Sequence, residues 1–149
     1  MTTQKSPIEK FVGKRIHILG VAGTLMGAFA TFLKRSGIAV TGSDQNIYPP
    51  MSDVLKNADI EVFAPFSPEN ITRAKPDLVI VGNVIRKVNP EMEEVVRQNI
   101  PYLSLPHALE TMILVDKHPI VVAGTHGKTT TSSMMAWMLE KLGERPCFF

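Results

Sequence analysis

RIHILGVAGTLMGAFATFLKRSGIAVTGSD, Arg15 to Asp44, sets the alternation on which the rest of the chain is built. RIHILG is a short apolar run ending in glycine. In TLMGAFATFLKRSG the apolar residues recur every three or four positions, and IAVTGSD restarts an extended run. The pattern predicts strand, helix, strand, with Gly37 just past the helix end, where a left-handed conformation is needed. The glycines of GVAGTLMG, Gly20 to Gly27, let the backbone turn tightly and approach a pyrophosphate at the start of the next helix. Their spacing, G-x-x-G-x-x-x-G, is not the G-x-G-x-x-G of a dinucleotide site, which favours a related diphosphate ligand over NAD. Glycines needed only for close helix packing are the competing account. Asp44 stands where an acid ending the second strand accepts hydrogen bonds from a ribose or a base; a solvated turn aspartate is the alternative.

The same alternation continues outward. NIYPPM is a loop, because two prolines fit neither a ladder nor a helix interior, and Ser52 is the expected cap of a short helix, SDVLKNA. IEVFAP is a third strand, and Ser67 with Pro68 opens a helix of one or two turns. PDLVIVGN is a fourth strand, apolar on both faces as a central parallel strand should be. Asn89 and Pro90 cap and open the helix EMEEVVRQN, IPYLSL is a fifth strand, and Pro106 opens the helix HALETMILV. Unbroken βα alternation predicts a doubly wound, Rossmann-like α/β domain with ligands at the carboxyl ends of its strands. Asn83 and His107 follow the fourth and fifth strands, at that crevice. A helix-start residue is the plainer account of His107, and His17, inside the first strand, reads as a packed histidine.

DKHP, Asp116 to Pro119, marks a boundary, after which HPIVVA, GTHGKTTT and SSMMAWMLEKL predict strand, glycine loop and helix again. Backbone N–H groups converge at such a helix start with the positive end of its dipole behind them. Lys128 can reach the outer phosphates of a nucleotide, and the Thr129 hydroxyl is placed for Mg2+. Only Thr125 and His126 separate Gly124 from Gly127, two residues where a phosphate loop usually has four. A helix start with no ligand is disfavoured by three successive threonines, which propagate a helix poorly. Met134, Met135, Met138 and Leu142 fall at helical spacing and read as core; Cys147 reads as a small core residue.

Composition sets outer bounds. An apolar fraction of 44% with 20% charged is that of a globular protein able to bury a core. Lys and Arg number 16 against 14 Asp and Glu, and the cations are scattered, so no nucleic-acid footprint is visible. No run approaches the ~18 apolar residues of a membrane span, and the opening lacks the apolar core of a signal peptide. With one cysteine, these features predict a cytoplasmic protein.

The shortened loop GTHGKTTT resembles the ATP-binding loop of the Mur ligase family, G-T-x-G-K-T-T. HILGVAGTLMG, TGSDQNIYPPMS, VIVGNVIRKVNPE and AGTHGKTTT are similar to that family in order and spacing, from about Lys14 to the end. They look most like its branch that joins recycled L-alanyl-γ-D-glutamyl-meso-diaminopimelate, the murein tripeptide, to UDP-N-acetylmuramate. The resemblance implies ATP-dependent amide formation through an acyl phosphate, with ATP and Mg2+ as cofactors. It assigns the UDP sugar to Gly20, Gly23, Thr24, Gly27 and Asp44, with Asn83 and His107 beside them. ATP falls to Gly124, Thr125, His126, Gly127, Lys128, Thr129 and Thr130, with Lys128 in the catalytic role and Thr129 on the metal. Ala22 and Leu25 depart from the family's denser loop, G-I-G-G-x-G-M. Residues 1–14 are then an N-terminal extension, 15–117 the UDP-sugar domain, and 118–149 the first strand, P-loop and helix of a truncated ATP-binding domain. Such a chain is expected to bind the UDP sugar and to lack ligase turnover by itself. Three other readings stay open: a sister ligase that places L-alanine on the same UDP sugar, an NAD-binding regulatory domain, and a P-loop ATPase or kinase.

Overall fold

The computed structural model describes residues 7–115 and 117–146. The chain divides into two compact units, Met1–Val115 and Asp116–Phe149. In the first, five strands alternate with helices: β1 (Arg15–Leu19), α1 (Thr24–Arg35), β2 (Ala39–Ser43), α2 (Met51–Asn57), β3 (Glu61–Phe63), α3 (Pro68–Ala74), β4 (Leu78–Val81), α4 (Pro90–Arg97), β5 (Tyr102–Ser104) and α5 (Leu105–Leu109). All pairings are parallel, in the order β3-β2-β1-β4-β5, with Ile16 opposite Val40 and Leu78. The chain winds outward from β1 to β3, then returns to the other side of β1, so the topological switch lies between β1 and β4. The expected doubly wound sheet is present.

Strand alternation builds two cores. Ile16 and Ile18 of β1, with Leu78 and Ile80 of β4, pack under Phe29 and Leu33 of α1, Leu55 of α2, and Ala108 and Met112. Leu19 and Val79 face the other way, onto Ile71 of α3 and Met92 and Val95 of α4. Ile8 and Phe11, from a 3-10 helix at Pro7–Phe11, pack against the first core, so that part of the N-terminal stretch belongs to the fold.

Local expectations need two corrections. Ser52 does not cap α2, which begins at Met51 with Pro50 at the cap position. Met51 is drawn to that place by packing against Gly27, a contact between helices that local capping preference does not encode. The helix expected through HALETMILV ends as α5 at Leu109 and continues as a π-helical turn over Glu110–Leu114. There the Thr111 hydroxyl donates to the His107 carbonyl, competing with the backbone ladder.

In the second unit the strand expected over HPIVVA is not formed: residues 118–123 carry no regular structure. A strand is held by ladder bonds to a neighbour, and the described part of this unit has only one other element, α6 (Lys128–Lys141). Met134, Met138 and Leu142 are exposed rather than core, since the described residues of this unit form no second element to cover them, and Ala136 is the one buried residue of α6. Cys147 lies outside the described residues.

Candidate functional site

At the end of β1 the chain must reverse from a buried strand into α1 within four residues. Gly20 does this with φ +80°, a left-handed conformation that costs a side-chain-bearing residue about 1 kcal/mol or more. The turn is pinned to β2, because the Gly20 and Val21 N–H groups both donate to the Ser43 carbonyl, at 2.8 and 3.1 Å. The Ala22 N–H donates to Asp44 Oδ2 at 2.9 Å, while Asp44 Oδ1 accepts from the Gln45 N–H at 2.7 Å. Asp44 thus braces the glycine loop, and its oxygens keep only their remaining lone pairs for a ligand.

The three glycines serve three ends. Gly20 makes the turn. Gly27 makes room for α2, since a Cβ there would lie 2.2 Å from Met51 Sδ. Gly23 answers to neither need: its φ is −67°, and a Cβ would approach nothing closer than 3.6 Å. A missing side chain there keeps the space above the start of α1 open. The first helical amides follow directly. The Gly27 N–H already returns to the Gly23 carbonyl at 2.7 Å, whereas the N–H groups of Thr24, Leu25 and Met26 have no acceptor among the described residues. Free donors at a helix start, with the dipole behind them, suit an anion.

Asn83 follows β4 across the switch point and is exposed at the same edge. Its predecessor, Gly82, donates to the Leu19 carbonyl at 3.0 Å, and a Cβ there would sit 2.9 Å from that oxygen. The structure therefore brings the glycine loop, Asp44 and Asn83 together on three adjacent strands. His107 is exposed in the first turn of α5, its N–H capped by Ser104 Oγ at 3.5 Å. It follows the edge strand β5, two strands from β1.

A buried polar cluster under this edge has no clear sequence signal. His17 and Glu91 are both wholly buried. His17 Nδ1 lies 2.8 Å from Thr41 Oγ1 and Nε2 lies 3.2 Å from Ser43 Oγ, with Phe63 stacked on the ring. Ser43 Oγ donates to Glu91 Oε2, and Glu91 Oε1 accepts from the Ser67 N–H at 3.1 Å and Asn70 Nδ2 at 2.6 Å. Burial opposes ionisation of Glu91, but hydrogen bonds from His17, Ser43, Asn70 and Ser67 outweigh it and hold its pKa below the ordinary value. Glu91 also opens α4, so the cluster ties that helix and α3 to the β2 residue whose carbonyl shapes the glycine turn. His17 is packed, as its place in β1 suggests; Glu91 looks in sequence like any helix-opening acid.

In the second unit, Gly127 precedes α6 with φ +75°, and the amides of Lys128, Thr129 and Thr130 have no acceptor among the described residues. Lys128 Nζ folds back onto the loop, donating to the Gly124 carbonyl at 2.8 Å and the Thr125 carbonyl at 3.3 Å. Thr125, His126, Thr129 and Thr130 are exposed. The donors fit a phosphate chain. Toward Mg2+ this loop offers only threonine hydroxyls, Thr129 among them, and among the described residues no group of three His, Cys, Asp or Glu could hold a metal. That is enough only for a cation carried mainly by phosphate and water.

Residues 15–116 match the Mur ligase family, catalytic domain. The chain is 47% identical over 134 residues to the UDP-N-acetylmuramate–L-alanyl-γ-D-glutamyl-meso-2,6-diaminoheptandioate ligase of Escherichia coli K12, covering 90% of this chain and 29% of that protein. It is 39% identical over 132 residues to the UDP-N-acetylmuramate–L-alanine ligase of Rubrobacter xylanophilus, covering 89% and 29%. Among solved structures it is similar to the UDP-N-acetylmuramate:L-alanyl-γ-D-glutamyl-meso-diaminopimelate ligase of Neisseria meningitides, with a TM-score of 0.82 at 41% identity, over 87% of this chain and 40% of that one. The chain thus spans well under half the length of these relatives.

Proposed function

This chain belongs to the Mur ligase family, and from that premise we propose that its first unit holds UDP-N-acetylmuramate for ATP-dependent ligation to L-alanyl-γ-D-glutamyl-meso-diaminopimelate in peptidoglycan recycling. The observation that carries the reading is the start of α1. Three amides with no acceptor among the described residues, Thr24 to Met26, follow Gly23 at the switch point of the sheet. A diphosphate accepts from all three. Asp44 and Asn83 flank that position from β2 and β4 and are assigned to the sugar or the base; His107 borders it from β5.

The second glycine loop is assigned to ATP. Lys128 would leave the Gly124 and Thr125 carbonyls for the outer phosphates, Gly127 and Thr130 would donate to phosphate oxygens, and Thr129 would contribute a hydroxyl to Mg2+. When bound, the metal and nucleotide supply an activated phosphoryl group; this chain's part is to orient it and to stabilise its charge. The cytoplasm is the compartment this reading implies.

Relatives named for the tripeptide and for L-alanine share UDP-N-acetylmuramate, so the nucleotide-sugar assignment is the same for either amine. The higher identity to the tripeptide ligase favours the tripeptide. Calorimetric titration of the 149-residue chain with UDP-N-acetylmuramate, NADH and Mg-ATP tests the reading. Saturable binding of the UDP sugar without NADH binding is expected. NADH binding with silence toward the UDP sugar would move the chain to the dinucleotide-binding class.

A further inference from the structure

In a sheet of five parallel strands every strand-to-helix connection opens at the same edge, and the proposed diphosphate lies there. Basic side chains are nearly absent from that edge. The connections after β1 (residues 20–23), β2 (44–50) and β3 (64–67) contain no lysine or arginine, and neither do the first turns of α1 to α5. The acids Asp44, Asp53, Glu69, Glu91 and Glu93 lie among them. Lysines and arginines gather instead at the opposite edge, where Lys34, Arg73 and Arg97 close helices and Arg15 opens β1. Those four are already paired, with Asp59, Glu61, Glu94 and Asp77.

The exceptions are Arg86 and Lys87, in the connection from β4 to α4. Both are exposed, and neither makes an ion pair among the described residues. Their backbone is anchored on either side. Upstream, the Ile85 N–H donates to the Gly82 carbonyl at 3.0 Å, and the Ile85 side chain packs over Gly20, with Cδ1 3.5 Å from the place of a Cβ. Downstream, the Asn89 N–H donates to the Arg86 carbonyl at 3.0 Å while its side chain caps α4 through the Glu91 and Met92 amides. The pair is therefore held across the switch point from the open amides of α1.

Three amides and a helix dipole offer a dianion only partial charge, roughly half an elementary charge at the helix end. With five acids at the same edge, the formal charge there is unfavourable without a cation. We infer that Arg86 and Lys87 are the recognition cations for the diphosphate of the nucleotide sugar, reaching it from the β4–α4 connection. The inference rests on the nucleotide-sugar reading of the α1 start.

UDP and uridine separate charge recognition from base recognition. The 149-residue chain, an Arg86→Gln/Lys87→Gln variant and a Lys56→Ala control from the opposite edge are titrated with each at low and high salt. The unsubstituted chain should bind UDP with an affinity that falls as salt rises. The double variant should lose about 10-fold or more in UDP affinity and most of that salt dependence, with uridine binding unchanged. Lys56→Ala should match the unsubstituted chain. Equal UDP affinity in the double variant, or UDP binding by the unsubstituted chain that salt does not weaken, overturns the inference while leaving the nucleotide-sugar reading in place. No UDP binding by the unsubstituted chain overturns both.

Discussion

Two glycine loops in this chain lead into helices, and they are built to different degrees. The loop before α1 has its Gly20, Val21 and Ala22 amides fixed by Ser43 at the end of β2 and by Asp44 just after it, and α1 buries Met26, Phe29, Ala30 and Leu33. The loop before α6 is braced among the described residues by Lys128 alone, and its helix buries only Ala136. Both sequences encode a left-handed glycine and free amides at a helix start. A rigid site arises where neighbouring strands supply acceptors for the rest of the loop, so position in the sheet, more than the glycine motif, separates the two.

The largest expected effect tests what holds the first loop. Glu91→Ala leaves His17, Ser43, Asn70 and the Ser67 amide facing an empty buried site, and should cost about 3–5 kcal/mol in urea unfolding. Lys128→Ala, which erases a charge from the second loop, should change stability by no more than about 0.5 kcal/mol. A loss at Glu91 no larger than that at Lys128 would remove the contrast. Next comes Gly42→Ala. Its Cβ would lie 2.7 Å from Val21 Cβ, and a β-branched neighbour cannot swing away, so about 1–3 kcal/mol should be lost. Gly127→Ala meets nothing within 4 Å and bears only the left-handed strain, about 1 kcal/mol.

Acid should sharpen the same contrast. Glu91 is held below its ordinary 4.5 in the folded state, and the partly exposed pair with Arg97, together with Gln98, pulls Glu94 to about 2. Because the unfolded chain takes up these protons first, the stability they give is complete above 4.5 and is lost as pH falls toward the folded values. Glu91→Gln should therefore flatten the decline of stability below pH 4.5, measured by denaturant midpoints; a slope equal to that of the unsubstituted chain would remove Glu91 from the account. The smallest effect is spectroscopic. Trp137, the one tryptophan, is 60% exposed on α6, so its emission should be nearly water-like and should miss the cooperative transition that far-UV dichroism reports for the first unit.

How far the sequence reaches follows the same division. β1 to β5 and the helices between them were legible from the apolar period, joined at Asn89-Pro90 by a cap signal that the Asn89 side chain fulfils at α4. HPIVVA has the composition of a strand, but strandedness depends on a partner that composition does not supply. At the glycine loop, the pattern identified the turn and the helix start, whose amides have no acceptor among the described residues. It could not divide the work among Gly20, Gly23 and Gly27, which depends on Met51 and Ser43 from elsewhere in the chain. Arg86 and Lys87 stand out only once parallel topology collects five connections at one edge. The His17–Glu91 cluster joins residues 74 positions apart, and neither member carries a local signature.

Amide NMR of the 149-residue chain titrated with UDP-N-acetylmuramate tests the central claim most directly. The account predicts saturable shifts concentrated at Gly23, Thr24, Leu25 and Met26, extending to Asp44 and Asn83, with the Gly20 and Val21 amides staying protected by Ser43. Saturable binding that leaves Thr24 to Met26 unmoved, or no binding of the UDP sugar at all, would contradict it.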